Sequence, residues 1–246
     1  MEQDIYVGRG FSKDMREREK HKEASSRRYP TFCDAKKSDS VLIVGCGDGP
    51  QIRVFSKLVK EITAIDIDDE RLKLSSELIK IAKIKNTSLL KLSIYELEKL
   101  KKKFDLIIIV DVIEHIDEPK KGLLSMKNIL AKNGRILLTY PNTFEIYYYF
   151  GRILNRYILR IPEKKGKEYD YHKTKQPPWM WNKMIKESGY QIKKINATTM
   201  WAPIDWFGVT PFWFTNDFWN AIDEFVCGLP IVKYAGLSMV CVIENE

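Results

Sequence analysis

Three glycines alternate with other residues in Gly45-Cys46-Gly47-Asp48-Gly49, directly after the apolar run Val41-Leu42-Ile43-Val44 and before Pro50. Glycines in such a turn take positive φ and let a ligand approach the backbone without meeting a Cβ, and the free N–H groups opening the next helix favour polar or anionic ligand groups. The spacing narrows the ligand. A dinucleotide turn needs G-x-G-x-x-G, and a P-loop needs a Lys-Ser/Thr pair after its last glycine. Here the third glycine comes one residue early, Pro50 stands where the dinucleotide pattern needs glycine, and no lysine or hydroxyl is placed to hold a phosphate. Ile62-Thr63-Ala64-Ile65 then ends in Asp66, 17 residues past Gly49, where a carboxylate accepts hydrogen bonds from both hydroxyls of a ribose. A nucleoside without a pyrophosphate is expected, and the glycine spacing argues against a nicotinamide oxidoreductase.

Few residues are suited to general-base work. The chain has three histidines: His21 in a charged N-terminal stretch, His115 in Val112-Ile113-Glu114-His115, and His172 in Tyr171-His172-Lys173. His115 and His172 are the catalytic candidates, because an imidazole titrates near neutral pH. Glu114 and Asp117 would be the nearest approach to a metal site, but no cluster calls for one and no metal is expected. Cys33, Cys46, Cys227 and Cys241 form no C-x-x-C pair and have no histidine at zinc spacing, so they read as reduced cytosolic thiols.

The elements that must position these residues alternate from Asp39 onward. Apolar, β-branched runs predict strands at 41–44 (with Ser40 at the start), 62–66, 88–93, 104–111 and 135–140, and helices near 50–60, 69–84 and 118–131. Leu106 to Val110 is apolar at every position, as in a parallel strand covered on both faces. Asp117, two residues before Pro119, is expected to open a helix that Gly134 closes. Pro178 opens a helix ending at Gly189, Tyr190 to Ala197 reads as a strand, and Leu237 to Ile243 as the last one. The fold class is therefore α/β: a Rossmann-like, seven-stranded, mostly parallel sheet with helices on both faces. Functional residues belong beyond the carboxyl ends of its strands. That puts Gly45 to Gly49, Asp66, Ser93, Asp111 to His115 and Tyr140 to Asn142 on one rim.

Four stretches in order, Val41 to Gly49, Ile65-Asp66-Ile67-Asp68, Phe104-Asp105-Leu106 through Glu114-His115-Ile116, and Lys132-Asn133-Gly134 through Tyr140-Pro141-Asn142, make the chain similar to the class I S-adenosylmethionine (SAM)-dependent methyltransferases. Within them it resembles the group that includes the ubiquinone-biosynthesis O-methyltransferases. The resemblance covers residues 38–142 well and continues weakly to a strand near Val240. It implies SAM as cofactor, held by Gly45, Cys46, Gly47, Gly49, Asp66, Ile67, Ser93, Ile94, Asp111 and Val112. It also implies that residues 1–39 form a helical segment over the cofactor, from which Arg9, Arg27 or Arg28 could meet the methionine carboxylate. The family usually has acidic residues where this chain has Ile43 and Ser93, which supports a competing reading as a SAM-binding module without catalysis.

The rest of the chain bears on the acceptor. Residues 143–177 and 200–235 break the alternation and are aromatic, with Tyr147-Tyr148-Tyr149-Phe150 in the first and Trp201, Trp206, Trp213 and Trp219 in the second. In this family insertions after strands five and six build the acceptor pocket, so helical aromatic insertions there imply a small hydrophobic or lipid-linked acceptor; plain core or a dimer interface would use the same residues. Lysines at 164, 165, 167, 173 and 175 could meet an anionic membrane surface, and the net charge of +8 favours acidic partners. Nucleic acid is not expected, because no RNA-binding module signature accompanies the lysines. The N-terminus lacks a secretory h-region and no apolar run is long enough to span a bilayer, so the expected compartment is the cytoplasm.

Overall fold

The structure, a computed structural model, describes residues 26–142, 173–174, 176–198, 217–230, 232–236 and 238–246. Its strands are β1 (Ser40–Val44), β2 (Glu61–Asp66), β3 (Thr87–Lys91), β4 (Phe104–Ile109), β5 (Leu130–Pro141), β6 (Tyr190–Ala197) and β7 (Ser238–Asn245). They form one sheet in the order β3-β2-β1-β4-β5-β7-β6. The first five are parallel, and β7 runs antiparallel between β5 and β6. The helices are α1 (Tyr29–Phe32), α2 (Pro50–Phe55), α3 (Asp69–Ile81), α4 (Pro119–Lys127), α5 (Pro178–Glu187) and α6 (Asp217–Gly228).

Side chains alternate across a strand, so the sheet divides the core in two. Leu42, Val44, Ile107, Ile109, Ile136 and Leu138 point to one face, where Leu123 and Met126 of α4 and Trp181 and Ile185 of α5 cover them. Val41, Ile43, Leu106, Ile108 and Leu137 point to the other, against Tyr29 of α1 and Ile52 and Phe55 of α2. This is why β1 and β4 read as unbroken apolar runs. Ile43 is 1% exposed within this second layer, paired in register with Ala64 and Ile108.

Several boundaries differ from the expectation. Gly134 does not close a helix: α4 ends at Lys127 and β5 begins at Leu130, so Gly134 lies inside the strand. A Cβ there would come within 2.9 Å of the Phe104 carbonyl oxygen and 2.8 Å of Leu130, so glycine serves close backbone approach beside a register shift in the β4–β5 ladder. Asp117 is not the cap of α4. Glu118 occupies that place without a side-chain bond, and Asp117 pairs with Lys173 at 2.7 Å on the surface. The segment read as a helix to Lys60 stops at Phe55, and β4 stops at Ile109 rather than 111. The aromatic insertions lie mostly outside the described residues. α6, within the second, and the return of the first at residues 173–174 and 176–177 are described.

Candidate functional site

The strand order reverses beside β1, whose neighbours β2 and β4 are reached by crossovers to opposite sides. Open α/β sheets bind ligands in the crevice outside the carboxyl ends of the strands at such a point. The glycine turn sits there. Gly45, Gly47 and Gly49 all take positive φ, at 67°, 53° and 92°, and Pro50 occupies the first helical position of α2.

The three glycines do different things. A Cβ on Gly45 would overlap Val112 Cγ2, which follows β4, and one on Gly49 would lie 2.6 Å from Leu78 of α3. Both are required by packing. A Cβ on Gly47 would meet nothing within 4 Å among the described residues, so of the three glycines this one faces space that they leave open. Its N–H donates to Asp66 Oδ2 at 2.8 Å, and Asp68 N–H donates to Asp66 Oδ1 at 3.1 Å. The Gly47 carbonyl accepts from Ser75 Oγ at 2.7 Å, and Cys46 N–H donates to Ile65 O at 3.0 Å. The turn is thus fastened to β2 and α3, with the Asp66 carboxylate at the join. Each of its oxygens takes one backbone N–H and keeps further acceptor capacity.

On the β4 side the chain leaves the strand through Asp111, an exposed residue with φ 54°. Thr139 of β5 holds it twice: Thr139 Oγ1 accepts from Asp111 N–H at 2.8 Å and donates to Asp111 Oδ1 at 3.1 Å. A 3-10 turn over Ile113–His115 follows. His115 is partly exposed, with Nε2 4.0 Å from Glu114 Oε1. Glu114 is buried and its Oε2 finds no partner among the described residues. Loss of solvent pushes its carboxyl up to about 8; its own backbone N–H works against this, and the Asp111 charge adds to it.

Both insertions are anchored at this rim. The first leaves at the end of β5, and its return reaches the same turn, where Thr174 N–H donates to Glu114 O at 3.0 Å. The second leaves at the end of β6 and returns beside β5, where the buried Asn142 side chain donates to the carbonyls of Tyr234 at 2.6 Å and Gly236 at 2.7 Å. Tyr140 points into the core, stacked on Trp181 and donating to Asn182 Oδ1 at 2.7 Å.

The remaining candidates are placed as follows. Ile67 projects from the rim at 69% exposure. Ser93 follows β3 and accepts from Tyr95 N–H at 3.3 Å, so its hydroxyl caps the next turn. Ile94 and Cys46 turn their side chains into the core, which leaves only backbone for a ligand. Arg27 is exposed and Arg28 half-buried at the start of α1. Next to them Tyr29 is buried, its phenol pKa raised mainly by desolvation and next by the Asp111 charge, which puts α1 near the rim. His172, His21 and Arg9 lie outside the described residues.

Sequence reasoning missed three supports. Ser75 is signalled only by sharing the inner face of α3 with Leu78. Asp68 caps α3 by accepting from Glu70 and Arg71 N–H groups, which S/T/D/N before a charged first turn could have indicated. Asp48, 4% exposed in its side chain, pairs with Arg71 at 2.6 Å, and nothing local announces it.

A family model described as a methyltransferase domain matches residues 35–197. The chain is 28% identical over 157 residues to a ubiquinone biosynthesis O-methyltransferase of Rickettsia akari (strain Hartford), a match covering 64% of this chain and 61% of that one. It is 27% identical over 202 residues to the protein of that description from Rickettsia prowazekii (strain Madrid E), covering 78% and 77%. The first match thus spans about three fifths of the relative's length. Among solved structures, a SAM-dependent methyltransferase from Clostridium acetobutylicum superposes with a TM-score of 0.59 at 14% identity, over 92% of each chain. That likeness concerns the fold alone.

Proposed function

Because this chain belongs to the methyltransferase domain family, whose cofactor is SAM, we propose that it transfers a methyl group from SAM to a small hydrophobic or lipid-linked acceptor, on oxygen or carbon. The observation that carries the reading is the Gly47–Asp66 contact at the mouth of the crevice. Open space over Gly47 accommodates the amino-acid part of the cofactor, and the spare lone pairs of Asp66 accept from the ribose hydroxyls. Bound SAM supplies a methyl group already activated on a sulfonium. The protein's task is then to align the acceptor, exclude water and, where the nucleophile carries a proton, remove it. His115 is carried on the turn beside Val112 for that step, and the return at Thr174 ends two residues after His172. Anchoring of both insertions at the rim supports their building the acceptor pocket.

The catalytically inactive alternative leaned on Ile43 and Ser93. Ile43 is a core residue and Ser93 caps a turn, so neither substitution empties the crevice. A further alternative, in which the acceptor is RNA or protein, is separated by substrate. Calorimetry with SAM on wild type and Asp66→Ala tests the cofactor: charged hydrogen bonds contribute roughly 1.5–3 kcal/mol each, so the variant should bind on the order of tenfold to a hundredfold more weakly. Equal affinity in a folded variant refutes the placement. Turnover screened against apolar phenols, RNA and protein tests the acceptor, and activity that required RNA or protein would overturn the small-molecule reading.

A further inference from the structure

We propose that the opposite end of the sheet, where β1 to β4 begin, is a lysine face that docks this protein on an anionic lipid bilayer. The loops entering these four strands read Asp-Ala-Lys-Lys-Ser-Asp (34–39), Ser-Lys-Leu-Val-Lys (56–60), Ala-Lys-Ile-Lys-Asn (82–86) and Lys-Lys-Lys (101–103). The parallel topology brings all four to one end in the order β3-β2-β1-β4. Neighbouring strands lie about 4.8 Å apart, so the lysines form a strip roughly 15 Å across. All of them are exposed except the half-buried Lys102. The acidic groups among them are engaged: Asp34 pairs with Lys194 at 2.6 Å, Asp39 with Arg135 at 2.7 Å and Glu61 with Lys102 at 3.0 Å. Asp105, at the start of β4, accepts the Ser40 N–H at 2.9 Å.

Helix C-termini also favour cations, and α2 and α3 end here, but one cation in the last turn answers each dipole. Two or three lysines in every loop exceed that. The type of partner follows from what accompanies the charge. The four loops contain no arginine and no aromatic residue, the groups that stack on and grip nucleotides. They carry instead two exposed aliphatic side chains, Leu58 at 40% and, at the end of α3, Ile81 at 42%. Lysines flanking protruding aliphatics suit a lipid headgroup layer, where the charge meets anionic heads and the aliphatics enter the acyl boundary. The β5-β7-β6 half of this end is mixed in charge instead: Glu187 pairs with Lys120 and Lys183, and Glu244 with Lys193.

The inference is independent of the methyl-transfer reading. It bears on it in one respect: docked this way, the rim faces away from the bilayer, which favours the small hydrophobic acceptor of that reading over the lipid-linked one. The test is cosedimentation with phosphatidylcholine vesicles, with and without phosphatidylglycerol, at low and high salt. Wild type should bind only the anionic vesicles and be released by salt as screening rises. The quadruple variant Lys57→Gln/Lys60→Gln/Lys101→Gln/Lys103→Gln should partition on the order of a thousandfold more weakly, with unchanged melting temperature and SAM affinity. Leu58→Ser should weaken binding while leaving its salt dependence in place. Wild-type binding by the quadruple variant overturns the proposal, as does loss of binding on replacing the lysines at 164, 165, 167, 173 and 175 instead. Preference for an RNA homopolymer over anionic vesicles overturns it too.

Discussion

The two ends of the parallel sheet handle the same backbone problem differently. Both contain residues at positive φ. At the amino end these are Asp34, Lys83, Lys101 and Gly189, each just past a helix or 3-10 turn, where the left-handed conformation ends the helix. Three of the four are not glycine, and their side chains stand in solvent. At the carboxyl end the positive φ values belong to Gly45, Gly47, Gly49 and Asp111, which follow strands. There the conformation shapes a crevice, and at Gly45 and Gly49 a neighbouring side chain fills the place a Cβ would take. The left-handed conformation terminates elements at one end, and at the other it turns the chain out of its strands around the space over Gly47. One pair of buried groups contrasts as well: Arg135 and Asp39 are paired at the amino end, whereas near the rim Glu114 has an oxygen without a partner among the described residues, although Asp48 there is paired with Arg71.

The comparison predicts that amino-end changes act on stability and rim changes on binding. Arg135 is buried, contacts the carbonyls of Cys33, Asp34 and Asp105, and pairs with Asp39. Arg135→Met strands the Asp39 charge and should cost about 3–5 kcal/mol in chemical denaturation, with SAM affinity kept in the folded fraction. A larger loss in affinity than in stability would break the division. A pair of valines sharpens it. Gly45→Val combines left-handed strain with overlap on Val112 and should lower stability by about 2–4 kcal/mol. Gly47→Val carries the backbone strain alone, about 1–2 kcal/mol, yet should abolish SAM binding in calorimetry by filling the open space. If Gly47→Val binds normally, the turn is misassigned.

Glu114 gives a pH signature. The folded protein keeps its proton up to about 8, while the unfolded chain releases it near the ordinary 4.5. Stability therefore falls as pH rises from about 5 to 8 and levels off above, by on the order of 5 kcal/mol. Glu114→Gln should flatten that slope in denaturation curves across the range, and an unchanged slope would place the proton elsewhere. The smallest effect belongs to Lys101, at φ 46° in solvent. Lys101→Gly relieves the strain and should stabilise by about 0.5–1 kcal/mol by thermal melting, with SAM affinity untouched.

Much of this was legible in the chain. The runs at 40–44 and 104–111 read as buried parallel strands because both their faces are covered, the second ending at Ile109, and the glycine spacing marked the turn that leaves β1 because positive φ is a local requirement. The span of β5 was not legible, since Gly134 serves approach to a strand about 30 residues away in sequence rather than a helix end. Asp117 looked like a cap because capping is a local pattern, whereas its pairing with Lys173 joins residues 56 apart.

What the sequence by itself determined is the α/β alternation and the nucleoside-type turn, because hydrophobic periodicity and glycine's conformational freedom are properties of adjacent residues. Only the tertiary structure decided which of three glycines faces space, that Ser75 and Thr139 brace the rim, that Glu114 is buried with an unmatched oxygen, and that four lysine-bearing loops share one face. Each of these depends on which strands lie side by side, and that order is set by long-range packing across the sheet.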